Sequence, residues 1–310
     1  MDSTRRAILR RLHTEPTTGP ALAEELHITR AAVWKHIDQL REEGVKIGTQ
    51  SEGYVVESLP EYGEAAIAAH LSDDYDIVYR EVVESTNDIA RGHVSDTENP
   101  TIIAAHQQTS GRGRLNRDWM GPPGGIYCSL LSYPRLSPMD APLVTMVAAV
   151  AVARALESQH MSPTIKWPND VQVDGEKVAG ILTEMQGEAD RISWVIVGIG
   201  INANVEQDTL PSGATSIRSV LGHDCHRAEM IQSIVASFEE LIESPTAALD
   251  AWRVRTDTLG RRVRIETAAE TIIGEAIDIE LPGSLIVETD TGRQRVLAGD
   301  CEHLRPATKN

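Results

Sequence analysis

The chain has one phenylalanine, five lysines and three cysteines among 310 residues, and no uninterrupted run of eighteen apolar residues. Each scarcity excludes something. Cys128, Cys225 and Cys301 are far apart and odd in number, which argues against a disulfide framework or a C-x-x-C zinc site and for reduced thiols. The best apolar stretch, residues 141–156, is broken by Arg154 and reads as too short for a bilayer; the early arginines at 5, 6, 10 and 11 are not followed by the apolar segment of a signal peptide. The expectation is a cytoplasmic protein with no membrane partner. Nucleotide signatures are also missing. There is no G-x-x-x-x-G-K-[ST], and Gly198-Ile199-Gly200 lacks the third glycine and the following helix of a dinucleotide fingerprint.

Acid is plentiful. The formal net charge is −17, and arginine outnumbers lysine 24 to five. Such a composition suits concentrated salt, where a Debye length near ~3 Å at 1 M mutes self-repulsion; an ordinary acidic enzyme is the alternative. The excess is uneven. Residues 1–60 hold eight bases and nine acids, the remainder 21 bases and 37 acids, so a polyanion would dock on the first sixty. The length implies two or three domains.

Within those sixty, residues 4–13 place Ala7, Ile8, Leu9 and Leu12 at helical spacing. After a break at Pro16, Gly19 and Pro20, "ALAEELHITRAAVWKHIDQLREEG" reads as two helices turning at His27-Ile28. Thr29 caps the second, Gly44 ends it, and Ala32, Val33, Ile37 and Leu40 form its inner stripe. "VKIGTQSEGYVVE" then reads as a hairpin wing. Three helices and a wing predict a winged helix-turn-helix, with Thr29, Arg30, Lys35, His36 and Gln39 meeting operator DNA. Winged helices also serve as protein–protein modules, and that alternative stays open.

From Tyr75 onward, β-prone runs alternate with helices near 141–158 and 228–243, which predicts an α+β domain with its helices on one face of the sheet. "QQTSGRGRLNRDW", residues 107–119, concentrates three arginines and two glycines before its single acid, Asp118. Guanidinium forks match phosphate or carboxylate oxygens bidentately, and the glycines admit close approach of a ligand to the backbone. Alone, such a run is more commonly a solvated basic loop. "KWPND" at 166–170 is turn chemistry in which Lys166 and Asp170 could make a local ion pair. "HDCH" at 223–226 reads as a surface loop, because adjacent side chains rarely converge on one ion.

Taken in order, STN at 85–87, the RGR loop, KWPND, KVAG and GIGIN resemble the biotin protein ligases, in the class whose N-terminal DNA-binding domain serves as a biotin-operon repressor. "LGRRVRI" and "AGDCEHLR" resemble the two ends of that family's small C-terminal SH3-like β-barrel, for which the sequence shows four short strands. The resemblance implies a winged helix at 1–60, a class II synthetase-like catalytic domain with a mixed sheet at 61–256, and a barrel at 257–310.

It further implies adenylation of biotin by Mg-ATP, then transfer to a lysine of a biotin carboxyl carrier protein. By matching positions, Ser85, Thr86, Asn87, Gln108, Gly111, Arg112, Arg114 and Lys177 would hold biotin. Arg114, Arg117, Trp119, Asn169, Asp170 and Asn202 would hold ATP, with Asp170 a candidate magnesium ligand. Lys177, Arg112 and Arg114 would carry the catalysis, and residues 205–216 would cover the nucleotide. Ser85 or Thr86 acting only as a helix cap is the bland alternative. Asn116 stands where the family has glycine, and with Leu115 it bears on whether a ligand-linked homodimer forms. A non-catalytic ligand-sensing transcription factor and a lipoate-type acyl ligase are the rival functions.

Overall fold

The structure, a computed structural model, describes residues 1–97, 99–188 and 191–304; residues 305–310 of the expected C-terminal domain, with Arg305 of its last motif, lie outside them, as does the side chain of Asn116. Helix α1 (Ser3–Thr14) starts at Asp2, whose carboxylate accepts from Arg5 N, and buries Ile8, Leu9 and Leu12. Helix α2 (Gly19–Glu25) shows where the local reading misjudged a boundary. Thr18 caps it and Pro20 sits in its first turn, where the absent N–H has no intrahelical partner to lose. After His27 in left-handed geometry (φ 53°), α3 (Arg30–Glu42) is capped by Thr29 and buries Val33, Ile37 and Leu40 on one stripe. Strands β1 (Lys46–Gln50) and β2 (Gly53–Ser58) form the wing, tied back by Thr17 pairing with Tyr54.

The middle of the chain runs α4 (Glu64–His70), β3 (Asp76–Val83), α5 (Thr86–His93), β4 (Thr101–Arg112), β5 (Asp118–Gly121), β6 (Ile126–Ser132), α6 (Ala141–Ser158), β7 (Pro163–Lys166), β8 (Asp170–Val173), β9 (Glu176–Gly187), β10 (Ile192–Ile201), α7 (Ile217–Leu221), α8 (Arg227–Ile242) and α9 (Pro245–Arg255). Its strands build one mixed sheet in the order β3-β4-β6-β10-β9-β8-β7, with β5 folded onto β4; β3 and β4 are parallel and the other pairs antiparallel.

Alternation along β4 sorts the core into two layers. Ile102 and Ala104 join the main cluster with α6 and α8, whereas Ile103 joins Ala90 of α5, Leu131 and Ile196 in a small second cluster. The helices therefore do not share one face as expected: α5 crosses the opposite side. Helix α6, with its preceding turn, is long and apolar enough to cross a bilayer, contrary to the length argument from residues 141–156, yet two thirds of it is buried against the sheet and α8.

Strands β11 (Arg262–Glu266), β12 (Thr271–Glu280), β13 (Ser284–Thr289), β14 (Gly292–Val296) and β15 (Asp300–His303) form an antiparallel sheet in the order β14-β13-β12-β11-β15. There are five strands, not four, because Asp300–His303 pairs with β11. Among the described residues no ladder joins β14 to β15, which stand at the two ends of the strand order.

Buried polar groups hold the three units together. Arg6 donates from α1 to the carbonyls of Leu71 (3.1 Å), Ser72 and Tyr75 (2.5 Å), satisfying the C-terminal end of α4. Arg227, 4 % exposed, pairs with Glu61 of the linker and donates to Gly125 O at 3.0 Å. The C-terminal sheet docks on the KWPND hairpin: Trp167 N donates to Thr258 Oγ1 (2.9 Å) and its indole to Gly283 O (3.1 Å).

Candidate active site

Where β4 leaves the sheet and α5 begins, a cavity of about 160 Å³ opens over β8, β9 and β10. Its inner wall comes from the STN turn. Ser85 occupies the N-cap position of α5, yet its side chain makes no capping bond. Thr86 donates to Gln108 Oε1 from its backbone (2.7 Å) and hydroxyl (3.1 Å), and Ser129 Oγ lies 2.8 Å from Thr86 Oγ1 while donating to Asn87 Oδ1 at 2.6 Å. Asn87 Nδ2 donates to Glu184 Oε1 at 2.8 Å. All three STN residues are at most 5 % exposed, so this wall is dry and its geometry is set by internal bonds.

The floor exists because glycines leave room. A Cβ at Gly198 would stand 2.3 Å from Asn87 Oδ1, and one at Gly200 would stand 2.6 Å from the Trp119 ring. The GIGIN glycines thus seat two side chains; they do not turn around a phosphate. Among the described residues Trp119 Nε1 is buried without a hydrogen-bond partner, and Lys177 Nζ lies 5.3 Å from the Trp119 ring centroid.

Arg112, Arg114, Arg117 and Lys177 all line this cavity, and each has an internal partner. Arg112 pairs with Asp88, Arg117 with Asp300, and Lys177 with Asp170 at 2.6 Å, while Arg114 donates to Gly299 O at 3.1 Å. Burial pushes the Arg114 guanidinium down from its ordinary value, with Asp300 and Asp170 opposing; the bond to Asp300 holds Arg117 up. Gly113 N closes the loop onto Arg117 O at 2.7 Å. Leu115 takes left-handed backbone (φ 55°) and is 69 % exposed, one residue before the asparagine that stands where the family has glycine.

Lys177 is placed from behind. Its N–H donates to Gly213 O (2.8 Å) and its carbonyl accepts from Thr215 N (3.0 Å), so the segment at 205–216 sets the backbone of the lysine. Asp170 faces Lys177, not Lys166 as the local reading of KWPND allowed. Asn169, also in the lining, donates to Ile181 O at 2.8 Å. Among the described residues no group of three metal-binding side chains occurs, HDCH included. A single carboxylate such as Asp170 fits only an ion that arrives with nucleotide phosphates and waters, as magnesium does.

Two expected contacts fall outside the lining. Gly111 is buried behind it, where a Cβ would meet Trp119 O at 2.7 Å, and Asn202, 4 % exposed, donates to Thr215 O at 3.0 Å and so braces the segment behind Lys177. The residues that sequence reasoning missed are Asp88, Asp118, Ser129, Glu184 and Asp300. Asp88 follows the STN turn, Asp118 sits in the RGR loop and Asp300 in AGDCEHLR, but nothing local distinguished their carboxylates from solvated ones.

On α3, Arg30 and Lys35 are exposed, while Gln39 is half-buried and Thr29 is committed to its cap. His36 departs from the expected outer face: its side chain is 19 % exposed, with Nδ1 4.0 Å from Asp2. Trp34, unremarked in the sequence, is 60 % exposed between the two cations.

Comparison with known proteins matches three family models along the chain. Residues 4–62 match an HTH domain, residues 79–202 the biotin/lipoate A/B protein ligase family, and residues 258–304 the biotin protein ligase C terminal domain. The bifunctional ligase/repressor BirA of Bacillus spizizenii is 34 % identical over 93 % of this chain and 94 % of its own length. That of Escherichia coli is 28 % identical over 88 % of each. The biotin protein ligase of Aquifex aeolicus, solved with biotin and ATP, superposes with a TM-score of 0.63 at 26 % identity, covering 74 % of this chain and 99 % of that one.

Proposed function

The chain belongs to the biotin protein ligase family, with the architecture of its bifunctional ligase/repressors, and on that premise we propose that it activates biotin with ATP and transfers it to a carrier-protein lysine. One observation carries the reading: Arg112, Arg114 and Lys177, from two distant stretches of sequence, line one cavity with the STN turn and Gln108.

A carboxylate and a triphosphate repel each other, so their reaction needs fixed positive charge at the point of contact. The STN wall and Gln108 would bind the ring of biotin and aim its carboxylate at the guanidinium and ammonium groups. Lys177, a point charge, would sit between that carboxylate and the α-phosphate as a new C–O–P linkage forms and pyrophosphate leaves. Arg112, Arg114 and Arg117 would take the displaced phosphate charge, and Trp119, Asn169 and Asp170 would flank the nucleotide. Asp170 would hold a magnesium ion carried in with ATP, which would supply shielding of the phosphates. In the second step an uncharged lysine amine attacks the acyl carbonyl, its proton is lost, and AMP departs.

The α3 face with exposed Arg30 and Lys35 supports operator binding as a second activity, a homodimer would supply two half-sites, and three buried free thiols support a reducing cytoplasmic setting. Pyrophosphate release on mixing protein, ATP and biotin tests the ligase reading. No release would leave a ligand sensor, and release with lipoate in place of biotin would reassign the acyl substrate.

A further inference from the structure

A buried side-chain amide can be turned over at little steric cost, exchanging an acceptor for a donor. At Asn87, 5 % exposed, the surroundings remove that freedom. Nδ2 faces Glu184 Oε1 at 2.8 Å, and an ionised carboxylate only accepts. Oδ1 is therefore turned toward Ser129 Oγ at 2.6 Å and toward the space that Gly198 leaves empty, where a Cβ would intrude to 2.3 Å. The Ser129 hydroxyl has one hydrogen, and the shorter contact takes it. Glu184 is itself gripped by Arg91, which also binds Asp88 at 2.7 Å. The Glu184 bond holds the Arg91 guanidinium above its ordinary pKa, so the brace is a cation.

We infer that Glu184, braced by Arg91, is a positioning residue that locks the Asn87 amide oxygen toward the cavity and so makes the wall select a ring bearing N–H donors. The remaining lone pairs of Asn87 Oδ1 and Thr86 Oγ1, both in the cavity lining, form an acceptor surface with Ser129 behind them, and Gln108 Nε2 is left as a donor. A cyclic urea, with two N–H groups beside one carbonyl, is the complementary chemistry. This inference rests on the proposed function and adds the device that sets the polarity of its binding wall.

The experiment is Glu184→Gln in the full chain, assayed by pyrophosphate release. A glutamine can face Asn87 with either end, so the lock is lost while volume is kept. KM for biotin should rise roughly tenfold, the scale of one charge-assisted hydrogen bond, with kcat and KM for ATP held within about twofold. Arg91→Ala, which removes the brace and leaves the carboxylate, should shift KM for biotin in the same direction by roughly threefold and serves if Glu184→Gln fails to fold. An unchanged KM for biotin in a folded variant overturns the inference, as does a fall in kcat with equal rises in both KM values. The unsubstituted protein separates the two claims: without biotin-dependent release the functional reading fails and takes the inference with it, whereas with release only the Glu184 result decides.

Discussion

Two cationic surfaces of this molecule are built in opposite ways. In the cavity Arg112, Arg117 and Lys177 each rest on a carboxylate, and Arg114 rests on a backbone carbonyl. On α3, Arg30 and Lys35 are exposed, and among the described residues neither takes part in an ion pair. Cations gathered in a concave, partly dry site repel one another and need counter-charges to hold a geometry before the ligand comes. A convex helix leaves its cations to water and lets the partner order them. The first surface is preorganised, with Arg114 and Lys177 half-buried and Arg112 and Arg117 more open to salt; the second depends on displaced counter-ions and weakens steeply as salt rises.

The largest test of this contrast is Lys177→Ala. Removing the point charge should lower adenylation by about 10³-fold, measured as pyrophosphate release, while the melting temperature moves little, because the backbone of residue 177 is held by Gly213 and Thr215. Full turnover would show that the cavity does not work by preorganised charge.

Gly200→Ala comes next. The new methyl group would press on the Trp119 ring, so KM for ATP should rise roughly tenfold with a smaller change for biotin. Equal effects on both substrates would mean that Trp119 does not flank the nucleotide.

On the other surface, Lys35→Ala should weaken operator binding about fivefold and reduce the slope of log affinity against log salt by about one, read by gel shift across a salt series. Pyrophosphate release should not change. If adenylation of biotin falls as well, the two surfaces are not independent.

The smallest effect concerns the C-terminal sheet that supplies Asp300. Burial pushes His303 down to about 4 from 6.5, Lys166 adding to the shift and Asp257 opposing it. The folded state therefore prefers the neutral ring. Its contribution is complete above pH 6.5 and is lost as pH falls toward 4, with an upper bound of about 3 kcal/mol. His303→Gln should flatten the decline of melting temperature through that window relative to the unsubstituted chain. An unaltered pH profile would remove His303 from the account.

Much of the fold was legible because its signals are local. The stripe of Val33, Ile37 and Leu40, the cap at Thr29 and the turn at Gly44 each depend on neighbours within a few residues. The misreadings lay where distance mattered. Helix α5 went to the far face because Ala90 found Ile103, Leu131 and Ile196; Cys301 lies in a fifth strand because β11 had a free edge. His36 turned inward toward Asp2 at the start of α1, a contact no helical wheel of α3 contains.

By itself the sequence determined which chemistry was available: guanidinium groups around two glycines, one lysine after KWPND, and an STN turn ahead of them. Residue type and short-range spacing suffice for that, since a side chain's charge and donor set travel with it. Only the tertiary structure decided which carboxylate each cation rests on and which way the Asn87 amide faces. Apart from Lys177 and Asp170, which face each other across one hairpin, those pairings join residues 24, 97 and 183 positions apart, and a hydrogen bond reaches only about 3 Å, a distance that folding alone can close.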